Sequence, residues 1–264
     1  MVKLIVVNGC SLTYGRRLQD PERSCWGRIV ADQLKADFVN LAAGGGSNRR
    51  LVRTTVEHLG RVTSARGLSP REVLFVGMWT EISRAELYDE RPDEGFRPAA
   101  YDDPHWHRVG PWQLKNKHEK SIRYYKHFQD DRGDLVNFLL DSILLQQFLR
   151  QGGYNYASAL AWDFLPADAF RRHPQLSAQI DGESLFGGFD GCGPVSFYEV
   201  VRNRFPIGQG QHPLEEAHRF YALEYLLPWI EKTIPAAARP GDGARHGAAR
   251  DTRHADALTL TGAL

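Results

Sequence analysis

The sequence has little of what marks several classes of protein. It contains 3 cysteines in 264 residues, and Cys10, Cys25 and Cys192 lack the close pairing of a disulfide framework. No apolar run is long enough to span a bilayer. The formal net charge is only +1, so charge alone gives no reason to expect a nucleic acid or an anionic membrane as partner.

The first residues also lack the pattern of a secretory signal. MVKLIVVNG carries one lysine and a short apolar stretch, without a longer apolar region or a small-residue cleavage site. We therefore expect a cytoplasmic protein. From about Pro235 the chain is rich in Ala, Gly, Arg and Pro, which predicts a disordered tail over 235–264 after a domain of residues 1–234.

Short apolar runs alternate with helical patterns along the rest of the chain. The expected strands are Val2–Val7, Ala36–Leu41, Val73–Met78 and Tyr154–Ala161, and the expected helices are Ser24–Lys35, Ser47–Ala65, Leu135–Arg150 and Pro213–Ile230. Strands that alternate with helices form βα units. The sequence therefore predicts an α/β domain with a mostly parallel sheet.

Residues 84–131 interrupt this alternation. The segment is polar, aromatic and rich in histidine, and long irregular segments in compact domains are usually lids or disordered. Its Trp and Tyr content favours a packed lid. His105, His107 and His118 complete no recognised ligand set, so we expect no metal, and neighbours such as Trp106 are expected to line a substrate pocket.

The end of the first strand carries the first candidate site residue. In VVNGCSLTYG, Gly9 allows a sharp turn and Ser11 follows just past the strand. Ligands of open parallel sheets gather at the carboxyl ends of the strands. Ser11 therefore has the position of a nucleophile beside free backbone N–H groups, or it only caps a helix.

Two later stretches point to the same edge of the sheet. NLAAGGGSN, Asn40 to Asn48, offers unobstructed backbone donors, although a tight packing turn or a phosphate loop are the alternatives. Its spacing fits neither phosphate-loop pattern. His212, expected just before the last helix, would bring an imidazole to this edge, unless it is a structural histidine.

Together these stretches resemble the SGNH (GDSL-like) hydrolase superfamily. Gly9-Cys10-Ser11 is similar to its first block, and Asn40–Asn48 to its second, with Gly45 as the oxyanion glycine. Gly77–Arg84 resembles the third block, and Gln209–Pro213 the last, DxxH. The resemblance implies a three-layer α/β/α, flavodoxin-like fold with a sheet of about five strands.

The resemblance also implies a chemistry that needs no cofactor. Ser11 attacks an ester carbonyl, His212 is the general base, and the N–H groups of Ser11 and Gly45 hold the oxyanion. The substrate would be an ester of a small molecule, sugar or lipid. Hydrolysis and acyl transfer to another alcohol both remain open.

The third block departs from the family pattern. Its usual asparagine falls at Trp79, Thr80 or Glu81, and none of these is Asn. The Thr80 hydroxyl could donate to the oxyanion instead, or the Asn48 side chain could do so. Trp79 is expected to contact the substrate. Arg84 is expected either to hold the lid or bind a substrate anion, or to form a plain structural ion pair.

The last block departs at Gln209, where the family has Asp. Gln can accept a hydrogen bond from the His212 ring but supplies no charge, and an amide in place of the triad Asp costs about 10⁴ in rate in a well-studied case. A catalytically impaired binding protein on the same fold is therefore an alternative. A flavodoxin-like nucleotide-binding domain is another, although it gives His212 no role.

Overall fold

The computed structural model describes residues 1–92, 100–165, 168–186 and 195–233. The expected tail from 235 lies outside these residues, as does Cys192. The strands are β1 (Leu4–Asn8), β2 (Asp37–Asn40), β3 (Val73–Trp79), β4 (Ala85–Tyr88), β5 (Trp106–Val109), β6 (Asn155–Leu160), β7 (Ile207–Gly208) and β8 (His212–Pro213). The central sheet contains β2, β1, β3 and β6 in that order, all parallel.

Helices follow most of these strands. They are α1 (Ser11–Tyr14), α2 (Pro21–Ser24), α3 (Trp26–Gln33), α4 (Asn48–Ser64), α5 (Glu119–His127), α6 (Asp131–Gln151), α7 (Ala169–Arg172), α8 (Pro174–Ser177), α9 (Phe197–Val201), α10 (Glu215–Phe220) and α11 (Leu227–Thr233), with a π-helical stretch at Tyr221–Leu226. None of the helices in the described residues is both long and apolar enough to cross a bilayer.

The sheet is buried on both faces, because side chains alternate along each strand. On β1, Ile5 and Val7 pack with α3 and the last helices, whereas Leu4 and Val6 pack with α4 and α6. Continuous apolar runs such as β1 and β3 are what a doubly covered parallel strand requires. The predicted three-layer α/β/α fold is thus confirmed.

The number of strands differs from the expectation. Beyond β6, Ser158 pairs with Leu185 and Leu160 pairs with Ser196, each as an isolated bridge. Each contact lasts for one residue pair, so the described residues form no continuous fifth strand. The sheet has four strands in the flavodoxin-like order, and its fifth position is held by single bridges.

The expected helix from Pro213 is also wrong in its start. Pro213 pairs with Ile207, and His212 pairs with Gly208, in the two-stranded antiparallel hairpin of β7 and β8. The following helix, α10, begins only at Glu215. A proline suits the first turn of a helix, but it also tolerates the edge of a two-stranded ribbon, because it needs no donor there.

The described parts of the insertion, 84–92 and 100–131, pack onto the domain, with strands that the sequence pattern did not predict. β4 and β5 pair antiparallel, with Ala85 opposite Val109 and Tyr88 opposite Trp106. The carboxylate of Glu86 in β4 is fully buried and pairs with Arg53 of α4 at 2.9 Å. This segment is therefore joined to the domain by buried charge as well as by apolar contact.

Candidate active site

A cleft of about 840 Å³ opens at the carboxyl edge of the central sheet. Each of the four strands ends beside it, because Ser11 follows β1, Gly45 follows β2, Glu81 follows β3 and Trp162 follows β6. Strand order reverses between β1 and β3, the position where open α/β sheets hold ligands. Of the predicted site residues, the cleft wall brings together Ser11, Gly45, Arg84, Gln209 and His212.

The turn that carries Ser11 requires a glycine before it. A Cβ atom on Gly9 would lie 2.4 Å from Thr13 Oγ1 and 2.8 Å from the Met78 carbonyl oxygen. Asn8 fixes the turn from below, since its Oδ1 accepts from the Gly9 N–H at 2.8 Å and its Nδ2 donates to Thr54 Oγ1 at 2.8 Å. Ser11 then starts α1, where its own N–H has no intrahelical partner.

The glycine turn after β2 lies beside this serine. Gly45 has φ +73°, a left-handed conformation that favours glycine, and its N–H makes no hydrogen bond to another described residue. Gly46 packs tightly, because a Cβ atom there would lie 2.9 Å from the Gly9 carbonyl oxygen. The Ser11 and Gly45 turns therefore form one continuous wall of the cleft.

A buried ionic cluster supports this wall from behind. Arg50 is fully buried, donates from Nε to Asp102 Oδ1 at 2.6 Å, and donates from Nη1 to the Leu41 carbonyl oxygen at 3.1 Å. Arg108 Nη2 lies 3.1 Å from Asp102 Oδ2, and Arg108 Nη1 donates to the Gly44 carbonyl oxygen. Asp102 and Arg108 come from the insertion, so this segment fixes the glycine turn.

His212 stands on the opposite wall, in the β7–β8 hairpin. Its Nδ1 lies 3.0 Å from the Gln209 carbonyl oxygen. A carbonyl oxygen can only accept, so Nδ1 carries the hydrogen and Nε2 of the neutral ring is the free base. The connecting residues Gly210 and Gln211 have φ +74° and +63°. Main-chain geometry, and no carboxylate, sets the orientation of this ring.

The Gln209 side chain does not make the expected contact with the ring. Its Oε1 accepts a hydrogen bond from Arg17 Nη2 at 2.8 Å. The main-chain carbonyl takes the orienting role because the tight hairpin turn folds it back onto the imidazole. Gln209 therefore makes two contacts. Its main-chain carbonyl oxygen accepts from the His212 ring, and its side-chain amide oxygen accepts from Arg17.

Burial and positive charge lower the pKa of His212 below its ordinary value of 6.5. Burial is the largest cause, and the guanidinium groups of Arg16, Arg17 and Arg84 act in the same direction, whereas the bond to Gln209 opposes them. The ring is therefore neutral at pH 7 and able to accept a proton. No hydrogen bond joins it to Ser11 within the described residues, although both side chains line the cleft.

Three of the predicted site residues do not line the cleft, which corrects their assignment. Asn48 uses both ends of its amide on the Thr80 main chain, accepting at 2.8 Å and donating at 3.0 Å. The Thr80 hydroxyl is buried without a partner among the described residues. Trp79 points to the other side of the sheet end, where it packs edge-on against Phe138 at 5.5 Å.

Arg84 lines the cleft as part of an ion pair. Its Nε lies 2.9 Å from Glu81 Oε2, and its guanidinium stacks 4.9 Å from the Trp112 ring centre. Of the two expectations for Arg84, the structural ion pair is the one that these contacts realise. Trp112 and Arg84 form the outer, insertion-side wall.

Other lining residues were not found from the sequence. They are Arg16, Arg17 and Trp162, together with Pro111, Trp112, Gln113, Asn116 and His118 from the expected lid, and Glu81, Gly210 and Gln211 from the third and last motif blocks, which had been given no contact with a ligand. The adjacent Arg16 and Arg17 directly after α1 were a usable signal, because they follow the serine turn. The others come from distant segments.

Three residues of the insertion that the sequence analysis considered, His105, Trp106 and His107, are not among the residues that line the cleft. His105 and His107 contact the carbonyl oxygens of Asp89 and Arg91 at 3.1 and 2.8 Å. Trp106 packs under Arg53, whose guanidinium lies 4.7 Å from its ring centre. In the part of the chain that the structure describes, no group of three or more His, Cys, Asp or Glu side chains is arranged to hold a metal ion.

Solved structures similar to this one include known and presumed esterases. A carbohydrate esterase family 2 enzyme with a carbohydrate binding domain, from Myceliophthora fergusii, is 14% identical with a TM-score of 0.47; the match covers 88% of this chain and 66% of that one. The esterase EstA from Pseudoalteromonas is 10% identical with a TM-score of 0.45, over 87% of this chain and 99% of that one.

A member of the lipolytic G-D-S-L family from Veillonella parvula is 13% identical with a TM-score of 0.38, over 84% of this chain and 94% of that one. This chain thus spans just under two thirds of the carbohydrate esterase and nearly all of the other two. Such low scores support no argument about activity or substrate. No curated protein matches the sequence. The family model of DUF6071, a family of unknown function, matches residues 9–243, and the chain belongs to that family.

Proposed function

We propose that the protein is a serine-dependent hydrolase of carboxylic esters, with Ser11 as nucleophile and His212 as general base. The observation that carries the proposal is the common cleft. Residues separated by some two hundred positions of sequence, Ser11 and His212, line it together with the oxyanion candidate Gly45. A nucleophile, a base and free N–H donors are the parts that acyl transfer needs.

In the first step the Ser11 hydroxyl attacks the ester carbonyl. His212 Nε2 takes the hydroxyl proton as the Oγ–C bond forms, and the carbonyl oxygen becomes an oxyanion held by the N–H groups of Ser11 and Gly45. The intermediate then expels the alcohol, which leaves with the proton from His212. The product is an ester between the acyl group and Ser11.

In the second step water attacks this acyl-enzyme. His212 removes a proton from the water, the same N–H groups hold the second oxyanion, and Ser11 leaves with the proton returned by His212. The products are the free acid and the restored enzyme. An alcohol in place of water gives acyl transfer by the same proton movements, and esters of sugars, lipids and small molecules all fit this chemistry.

No carboxylate of the described residues bonds to the His212 ring, and this limits the expected rate. The Gln209 carbonyl holds the tautomer that the reaction needs, which an amide side chain in the Asp position fails to do in a well-studied triad. It gives little charge to stabilise the imidazolium. Oxyanion stabilisation and binding alone retain a rate of about 10³ or more over water, so a slow esterase is the expected phenotype.

A fluorophosphonate probe tests the nucleophile directly. We expect one covalent adduct on Ser11 in the intact protein, located by peptide mass spectrometry. Labelling should be lost in Ser11→Ala and greatly slowed in His212→Gln, while His118→Gln, another cleft histidine, should label normally. Cys10 is the relevant control for misassignment, so Cys10→Ala should keep the label. Labelling elsewhere, or none between pH 6 and 9, would remove the proposal.

One observation favours a second function, a binding protein that has lost turnover. In the part of the chain that the structure describes, Glu81 is the one carboxylate that lines the cleft, and Arg84 engages it, so no lining carboxylate of this part is available to His212. Such a protein would be stabilised by a ligand without consuming it. A panel of p-nitrophenyl esters distinguishes the two, because only the hydrolase gives nitrophenol release that disappears in Ser11→Ala.

A further inference from the structure

Arg16 and Arg17 lie in the cleft without an ionic partner among the described residues. The Arg16 guanidinium lies against the glycine turn, where a Cβ atom on Gly44 would be 3.1 Å from its Nη1. Arg17 lies at the other wall, bonded to the Gln209 side chain at 2.8 Å. One guanidinium therefore lies beside the glycine turn and the other beside the hairpin that carries His212.

The charge of the cleft lining is strongly unbalanced. Its lining includes the guanidiniums of Arg16, Arg17 and Arg84 and the single carboxylate of Glu81, which Arg84 already holds at 2.9 Å. Arg17 also has φ +80°, a conformation that non-glycine residues rarely adopt. Strained backbone that places a charged side chain in a cleft is a common feature of functional sites.

We propose that the ester taken by this cleft carries a negative charge away from its scissile carbonyl, and that Arg16 and Arg17 bind this charge. The proposal rests on the ester hydrolase function proposed above. Guanidinium groups bind carboxylate, phosphate and sulfate through paired, charge-assisted hydrogen bonds. Trp112 and Trp162 would contact the uncharged part of the substrate, since both line the same cleft.

The bound anion would also supply what Gln209 lacks. Among the described residues, the charged and titratable groups near His212 include Arg16, Arg17, Arg84, Glu81, His118 and His218. Tyr198 donates to the Gln211 side chain, and the Glu215 carboxylate at the start of α10 accepts from the Gln19 N–H at 2.7 Å. Glu81 is the acidic member of the groups that line the cleft in the described part of the chain. When His212 takes the Ser11 proton, a substrate anion beside Arg16 and Arg17 offsets the repulsion between the imidazolium and these guanidiniums. The substrate would then stabilise the transition state that a triad carboxylate normally stabilises.

A matched pair of esters tests the charge preference. Mono-p-nitrophenyl adipate and p-nitrophenyl hexanoate have acyl chains of equal length and differ in a terminal carboxylate in place of a methyl group. We expect kcat/KM to favour the adipate ester by about tenfold or more, since a charge-assisted bond is worth that much. Hydrolysis by Ser11→Ala is subtracted as background for both esters.

The double variant Arg16→Gln/Arg17→Gln should lose this preference. Arg61→Gln is the matched control, because Arg61 is exposed on α4, carries the same charge and lies roughly 20 Å along the helix from Asn48. It should keep the wild-type ratio. An equal ratio in wild type and double variant, with both folded by circular dichroism, would overturn the proposal while leaving the hydrolase intact.

The pH profile gives a second readout. With the adipate ester the acid limb of the kcat profile should lie at higher pH than with the hexanoate ester, because the bound anion favours protonated His212. The double variant should show one common limb for both esters. Identical limbs in wild type would contradict the charge compensation.

Binding separates this proposal from the function on which it rests. If neither ester is hydrolysed above the Ser11→Ala background, the hydrolase is wrong, and calorimetry with adipate, phosphate and sulfate still tests the arginines. Binding that is lost in the double variant supports an anion site, and the preferred anion identifies its chemistry. No binding to the wild-type protein at millimolar concentration, at constant ionic strength, would overturn it.

Discussion

The two walls of the cleft are held in different ways. The wall with Ser11 and Gly45 stands on buried polar groups, among them Asn8 and the pairs that Asp102 makes with Arg50 and Arg108. The wall with His212 is a two-stranded hairpin of two residues per strand. The described contacts give its imidazole one hydrogen bond, to a main-chain oxygen.

This difference matches the two tasks of the proposed acyl transfer. Oxyanion donors act by being in place before charge develops, so rigid support is useful there. A base must approach the serine, move its proton and then turn to the leaving group. A ring held by one hydrogen bond to a main-chain oxygen, in a short hairpin, is suited to such adjustment.

The largest effect should come from breaking the rigid wall. Asp102→Asn leaves the buried Arg50 guanidinium uncompensated, and losing one partner of a buried pair costs about 3–5 kcal/mol of unfolding free energy. Urea denaturation should show this loss, with Tm lower by about 10 °C. Asp103→Asn is the control, since this exposed neighbour should change stability by less than ~0.5 kcal/mol. Equal losses would mean that the cluster does not hold the fold.

Acid should lower the unfolding free energy through His218, which lies on α10 just after the hairpin. His218 is fully buried, accepts from the Trp26 N–H at 3.1 Å, and burial lowers its pKa to about 3. The unfolded chain binds the proton near pH 6.5 and the folded one does not. Stability is therefore complete above pH 6.5 and falls on acidification toward 3, by roughly 1 kcal/mol per pH unit.

His218→Asn keeps an acceptor for Trp26 but cannot be protonated. The pH dependence of its unfolding free energy between pH 7 and 5 should be weaker than that of the wild type by about one proton. His127→Asn, at an exposed histidine, should retain the wild-type slope. A variant as acid-sensitive as the wild type would show that other groups control this dependence.

A smaller change should affect the hairpin alone. Gly210→Ala costs roughly 1 kcal/mol because φ is +74° there, and its Cβ atom would lie 3.1 Å from His212 Nδ1. Gly67→Ala has a similar backbone cost at φ +63° with no atom within 4 Å. Both should lower stability alike, but only Gly210→Ala should also lower the esterase kcat. If both variants had the same kcat, the geometry of the hairpin would not affect the reaction.

The smallest expected effect is a shift in a pH profile. In Gln209→Asp the new carboxylate lies beside Arg17 and offsets part of the positive charge around His212. The pKa of His212 should then rise from its lowered value, so the acid limb of kcat/KM for p-nitrophenyl acetate moves to higher pH. Gln209→Asn, which adds no charge, should leave the limb in place, and exposed charge at this position should change stability by less than ~1 kcal/mol.

Local patterns predicted the parts of this molecule that depend on local physics. β1 and β3 were found because a doubly buried strand is a continuous apolar run. The turn that carries Ser11 was predicted because a strand end with small residues marks a turn, whereas Gly45 was singled out by the resemblance to the second block of the family. Pro213 was misassigned because its fixed φ fits a helix start as well as a strand edge, and only the pairing with Ile207 decides between them.

The rest depends on contacts between distant segments. Asp102 and Arg50 are far apart in sequence, and no local pattern in either segment predicts that they form an ion pair. Trp79 and Thr80 were expected at the site from their position in a motif, but both are buried in the interior. The contact between Arg17 and Gln209 depends on the position of the hairpin, which no local pattern predicted.

The pairing of Asp102 with Arg50 also constrains how the family can vary. The buried Arg50 of α4 is neutralised by an acid from residues 84–131, and Asp102 has a second partner in Arg108 whereas Arg50 has no other ion pair among the described residues. We expect family members that shorten residues 84–131 to carry an uncharged side chain at position 50. The interior of the domain depends in this respect on a charge that a surface segment supplies.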